Sequence, residues 1–80
     1  MSIIHNFIMK TEKNKVLASN IKAERNRRGF TQFELAEKIN VSESTISLIE
    51  RGLQTPSIFL VHDIAKILEI DINDLLKGLQ

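Results

Sequence analysis

Apolar residues recur along this chain at intervals of three and four, the spacing that keeps one face of a helix dry, and not at the interval of two that marks a half-buried strand. The pattern predicts five helices. The first runs from Lys15 to Arg28, with Leu17, Ile21 and Arg28 aligned on one side and Gly29 beyond the basic last turn as a stop that accepts positive φ. The second opens on TQFE, where Thr31 is the N-cap and Glu34, three residues on, completes a capping box. It ends near Ile39, and Asn40 takes the tight turn because its side chain tolerates the left-handed conformation. Ser42 caps the third helix and Gly52 ends it. Leu53 to Pro56 form a loop, and Ser57 opens a fourth helix with Ile58, Val61, Ile64, Ala65 and Leu68 at helical spacing. Asp71 caps a short fifth helix through Lys77, where Asp71 and Asp74 both suit the positive N-terminal dipole. The expected fold is an all-α, compact five-helix bundle. The one candidate boundary lies near Lys10 to Asn14, in the polar stretch KTEKNK: residues 1–13 are read as an apolar arm and 14–80 as the domain.

Within this pattern the stretch SESTISLIERG, Ser42 to Gly52, carries an anomaly. At about 100° per residue Ile46 and Ile49 point together into a core, and Glu50 projects only about 40° from Ile46. Ser44, Thr45, Ser47, Leu48 and Arg51 point elsewhere. Arg25 stands four residues after Ile21 on the first helix and also faces inward. A buried charge without a partner costs several kcal/mol, so an Arg25 to Glu50 ion pair is expected, with Arg28 as the competing partner. It would fix the angle at which the third helix leaves the core, and the outward face is left without a role in packing.

Charge and composition narrow the function. Eighty residues form one small domain with room for a single core and little area for a deep catalytic cleft. With no cysteine there is no disulfide or thiolate zinc site, and His5, His62 and the His62-Asp63 pair make a poor ligand set, so no cofactor, metal or enzymatic activity is expected. The N-terminal segment is interrupted by His5 and Asn6 and its lysines follow the apolar part, unlike a signal peptide. No run approaches the roughly 18 apolar residues of a membrane span, so a soluble cytoplasmic protein is expected, with no membrane partner. The net charge of +1 conceals an asymmetry: residues 10–28 hold seven bases against two acids, and the remainder holds four bases against eight acids. Such polarity suits an anionic partner on one side of the molecule.

The spaced set Arg25, Thr31 with Gln32, Leu35 with Ala36, Ile46 with Ser47, Glu50, Gly52, Pro56, Ala65 and Leu68 resembles the phage repressor and Cro type of helix-turn-helix domain, the Xre-like family, over Ile21 to Leu76. Independent physical reasons accompany the likeness. Ala36 is small where two helices approach closely, the turn Asn40-Val41-Ser42 has helix-turn-helix length, and Val41 closes it against the core. The resemblance implies a lambda-repressor-like bundle in which helices two and three form the motif and Ser42 to Arg51 enters the major groove of double-stranded DNA. Three positions depart from the family pattern: Asn40 is commonly Gly, Glu24 stands where an apolar residue is frequent, and Glu43 brings an acid to the groove end of the reading helix.

By the family register Ser44, Thr45 and Leu48 are the candidates for base-edge contact, as short hydroxyls and an apolar surface for a thymine methyl. Ser47 and Arg51 sit on the flanks, where phosphate contact is more natural. Glu43 either accepts from cytosine N4 or serves the helix dipole. Gln32 is assigned a phosphate or base contact at the start of helix two, and Gln54, in the loop Leu53 to Thr55, a phosphate contact. Lys22, Arg27 and Arg28 add attraction that is independent of sequence. Phe33 and Phe59 occupy positions that the pattern usually leaves polar, and the arm residues Ile3, Ile4, Phe7 and Ile8 are candidates to cover them, the alternative being that Phe33 touches DNA. The expected function is a sequence-specific transcriptional regulator, a repressor, binding a pseudo-palindromic operator as a homodimer. Self-association is expected through Leu75, Leu76 and Leu79, which exceed the needs of a short helix. The alternative is an antitoxin-type module that sequesters a protein partner, which would bury the arm; polymerase is a further protein partner of the regulator reading.

Overall fold

The structure, a computed structural model, describes residues 3–79, with side chains over residues 12–79. Five helices follow one another: α1 (Ile3–Arg27), α2 (Gln32–Lys38), α3 (Glu43–Glu50), α4 (Ile58–Leu68) and α5 (Ile72–Leu75). α1 packs on α3, α4 and α5, while α2 packs on α3 and α4. The core between them is Leu17 and Ile21 of α1, Leu35 and Ala36 of α2, Ile46 and Ile49 of α3, Val61, Ile64, Ala65 and Leu68 of α4, and Leu75 of α5.

Local chemistry sets most helix ends. Thr31 accepts from the backbone of Glu34 while the Glu34 carboxylate takes the Thr31 N–H, the full capping box. The Thr31 backbone N–H, and after it the Thr31 hydroxyl, hold the Glu34 carboxyl below its ordinary pKa. Ser42, Ser57 and Asp71 cap α3, α4 and α5 through side-chain oxygens. Asn40 adopts φ 60°, as expected of the turn between α2 and α3. The helix C-cap at Glu69, also left-handed with φ 58°, carries no such signal in its residue type.

Three expectations need correction. α1 does not begin at Lys15: the helix runs unbroken from Ile3, through the polar KTEKNK segment. Lys and Glu are good helix formers, Glu12 and Lys15 pair at 3.8 Å one turn apart, and no Gly or Pro interrupts the run, so polarity alone made no break. Arg28 does not share the inner face of Leu17 and Ile21. It lies beyond the last helical residue, Arg27, where the helical register no longer applies, and its guanidinium turns out to Glu69 at 2.7 Å. α5 ends at Leu75, short of Lys77, because Asn20 of α1 donates its amide to the carbonyls of Leu75 and Lys77 at 2.9 and 2.8 Å, closing the chain against α1.

The C-terminal leucines are consumed by this closure. Leu75 is fully buried, Leu76 and Leu79 pack against the core, and Gly78 lies against Val16. They leave little apolar surplus for self-association. Glu24, at a position the family pattern often makes apolar, is held by Arg27 at 2.6 Å, and that hydrogen bond lowers the pKa of its carboxyl.

Candidate nucleic-acid interface

α2 and α3 meet through Ala36, which is 2% exposed, and through the turn in which the Val41 N–H donates to the Ala36 carbonyl at 3.0 Å. This close approach sets the angle between the two helices. A second restraint comes from Glu50, whose side chain is 2% exposed and faces Arg25 across the core. Arg25 donates Nε to Oε2 at 2.6 Å and a terminal nitrogen to Oε1 at 2.9 Å, a two-pronged pair. Its other terminal nitrogen reaches the Phe30 carbonyl at 2.7 Å. Gln32, the first residue of α2, donates Nε2 to Glu50 Oε1 at 3.0 Å. The network ties the end of α1, the start of α2 and the end of α3 together, and every buried side-chain polar atom among the described residues has a partner.

With Ile46, Ile49 and Glu50 turned inward, α3 presents the opposite face to solvent. Glu43 and Ser44 are exposed at its start, Thr45, Ser47 and Leu48 are half-buried along it, and Arg51 is exposed at its C-cap. Ser44 and Leu48 stand one turn apart, with Thr45 beside them, so these three form one strip of surface. Thr45 is not wholly free: its hydroxyl lies 2.9 Å from that of Ser42, and its backbone N–H donates to the same oxygen. Gln54 is exposed in the loop after α3. Gln32 is half-buried at the edge of the strip, with its amide nitrogen directed to Glu50.

The cations that the sequence offered for DNA contact divide into two groups. Arg27 is engaged by Glu24 and Arg28 by Glu69. Lys22 and Arg51 are exposed and in no ion pair among the described residues. Residue patterns alone did not reveal that Gln32 belongs to the Arg25–Glu50 network. Its partner is 18 residues away, and only its place beside the Thr31 cap hinted at a crowded helix start.

A helix-turn-helix family model matches residues 21–75. Over 62 residues the chain is 39% identical to the HTH-type transcriptional regulator SinR of Bacillus subtilis (strain 168), a match that covers 76% of this chain and 56% of SinR. An uncharacterized HTH-type transcriptional regulator of Archaeoglobus fulgidus is 37% identical over 59 residues, or 74% of this chain and 84% of that protein. Among solved structures, SinR in complex with DNA, a master regulator for biofilm formation, superposes with a TM-score of 0.71 at 37% identity, covering 76% of this chain and 98% of that one. The restriction-modification controller protein C.AhdI from Aeromonas hydrophila shares the fold at 22% identity, with a TM-score of 0.77 over 81% of this chain and 94% of that one. The chain spans little more than half the length of the SinR sequences, 57% and 56% of them.

Proposed function

This chain belongs to the Xre-like helix-turn-helix family, of the phage repressor and Cro type, and on that ground we propose that it regulates transcription by sequence-specific binding to double-stranded DNA. The protein acts in the cytoplasm as a repressor, occupying a pseudo-palindromic operator as a homodimer, and binding alone is its mechanism. The observation that carries this reading is the orientation of α3. Its inward face is locked by Ile46, Ile49 and the Arg25–Glu50 pair, which leaves the Ser44, Thr45 and Leu48 strip facing away from the core. The likeness to SinR, whose structure was solved in complex with DNA, supports the DNA-binding reading. The curated relatives are transcription regulators, which does not favour the antitoxin alternative.

In this reading the N-terminal part of α3 enters the major groove. Ser44 and Leu48 meet base edges, and Thr45, whose hydroxyl is shared with Ser42, offers its methyl group as much as its oxygen. Glu43 either accepts from cytosine N4 or remains a first-turn acid. Ser47, Arg51 and Gln54 reach the backbone on either side. Gln32, held by Glu50, carries the same network to the DNA surface, so that reading and folding share one set of hydrogen bonds. The domain proper begins near residue 14.

A randomised-site selection tests the assignment. Replacing Ser44, Thr45 and Leu48 by Ala is expected to change which bases are preferred, by about 1–3 kcal/mol for a good bidentate contact and less for a single hydroxyl. Base preference that stays the same in all three variants would remove α3 as the reader.

A further inference from the structure

Three helices of this protein open on a hydroxyl cap, and the residue three places on differs in each. In α2 the cap is Thr31 and the third residue is Glu34, long enough for its carboxylate to return to the Thr31 N–H. In α4 Ser57 accepts the Leu60 N–H at 3.1 Å, and the apolar Leu60 side chain gives nothing back. In α3 Ser42 accepts the Thr45 N–H, also at 3.1 Å, but the Thr45 side chain is too short to return to the cap backbone as a glutamate does. Its hydroxyl stands instead 2.9 Å from the Ser42 hydroxyl.

That second bond is not needed for the cap, since the backbone N–H is already satisfied. What it does is fix Thr45. A threonine in a helix divides between two rotamers, and the bond to Ser42 selects the one that turns Oγ1 to the helix start, which also settles where the methyl group stands. Protons are shared as well. Each hydroxyl has one proton and two lone pairs; one proton lies between the two oxygens, and one Ser42 lone pair holds the Thr45 N–H. The pair is left with a single proton to offer, from either oxygen according to which of them donates inward. Ser42 is exposed and Thr45 half-buried on the outward side of α3, so this donor is open to a partner.

We infer that Ser42 is a specificity-determining residue that acts by positioning Thr45, and that the two hydroxyls read a base edge as one unit. The inference rests on the DNA reading proposed above, in which Thr45 lies in the groove. Guanine and the thymine carbonyl present acceptors there, whereas adenine N6 and cytosine N4 donate. A free threonine hydroxyl turns to satisfy either kind and discriminates weakly between them. With Ser42 beside it, Thr45 is held in one rotamer and can donate to a base only when Ser42 donates to it. Preference at that base is therefore a property of both residues, although Ser42 precedes the helix and its local role is a cap.

The test is a randomised-site selection with the full chain carrying Ser42→Ala, Ser42→Asn, Thr45→Val, and each Ser42 change combined with Thr45→Val. Asparagine caps a helix as well as serine does, so Ser42→Asn keeps the fold while removing the hydroxyl. Valine keeps the shape of Thr45 without its oxygen. Each single variant is expected to alter preference at one and the same base position by about two- to tenfold, the range of one neutral hydrogen bond. In the Thr45→Val background the Ser42 changes should leave preference at that position unaltered. A capping role alone would weaken binding to every sequence alike, and that result for both Ser42 variants would overturn the inference. So would a Ser42 effect that persists in full when Thr45 is valine, since Ser42 would then touch the base itself, or a Thr45→Val variant with wild-type preference. None of these three outcomes removes α3 as the reader, because Ser44 and Leu48 test that separately. A wild-type chain that selects no sequence would overturn the DNA reading as well.

Discussion

Arg25 and Glu50 show how a single pair of residues can serve geometry more than stability. Their attraction is offset by the cost of taking two charges out of water, so replacing both by apolar residues of similar size should change stability little. Removing one is different, because the other is left buried without a counter-charge. Arg25→Ala or Glu50→Ala is expected to lower the unfolding free energy by about 3–5 kcal/mol in chemical denaturation, and a loss under about 1 kcal/mol would show that water reaches the site. Glu50 is the more consequential of the two, since it also receives Gln32 and thereby links the start of α2 to the end of α3. The double replacement should stay folded but lose discrimination between operators, because the tilt of α3 is then set by packing alone.

Among the elements, α5 depends most on its neighbour. Four residues make barely one turn, too short to be stable alone. Its carbonyl end is held by Asn20, its apolar side by the core, and the following glycine lets Leu79 return to the body. Asn20→Ala removes both amide hydrogen bonds and is expected to cost about 1–2 kcal/mol. Hydrogen exchange would read the same change locally: amides over residues 72–79 should lose protection while those of α3 keep theirs. Equal loss of protection in both regions would mean that α5 and α3 unfold as one unit. α4 ends differently, at a left-handed Glu69 whose carboxylate pairs with Arg28. The pair bridges the end of α1 to the end of α4 and takes Arg28 out of the set of unengaged cations.

Over the whole molecule, charge decides how binding responds to salt. The basic stretch 10–28 gives the protein a polarised surface, yet its arginines are not equivalent. Arg25 is buried, Arg27 is engaged by Glu24 and Arg28 by Glu69, whereas Lys22 and Arg51 are exposed outside any ion pair among the described residues. A cation that must first leave its own acid gains less from a phosphate. Arg51→Ala is therefore expected to weaken binding to all sequences alike and lower the slope of log K against log salt by about 1. Arg27→Ala should move that slope less, because Glu24 is freed at the same time. Equal slopes for the two variants in a salt titration would show that DNA displaces the internal pairs.

Much of this architecture is legible along the chain. Thr31 with Glu34, Ser42, Ser57 and Asp71 mark helix starts because a cap is satisfied by a backbone N–H two or three residues away. The inward tilt of Arg25 and Glu50 follows from helical periodicity, and opposite charges turned to one core have few other partners. The same periodicity leaves Ser44, Thr45 and Leu48 outside. Through-space packing settles what lies beyond such short-range rules. The continuation of α1 to Ile3 depends on a balance of helix propensity against polarity that no motif marks. Arg28 chooses Glu69 from 41 residues away, Gln32 chooses Glu50 from 18, and Asn20 reaches the carbonyl of Lys77 from 57. The leucines at the C-terminus read as surplus because a helix of four residues has little face of its own. They pack inside because α1, distant in sequence, supplies the surface that buries them.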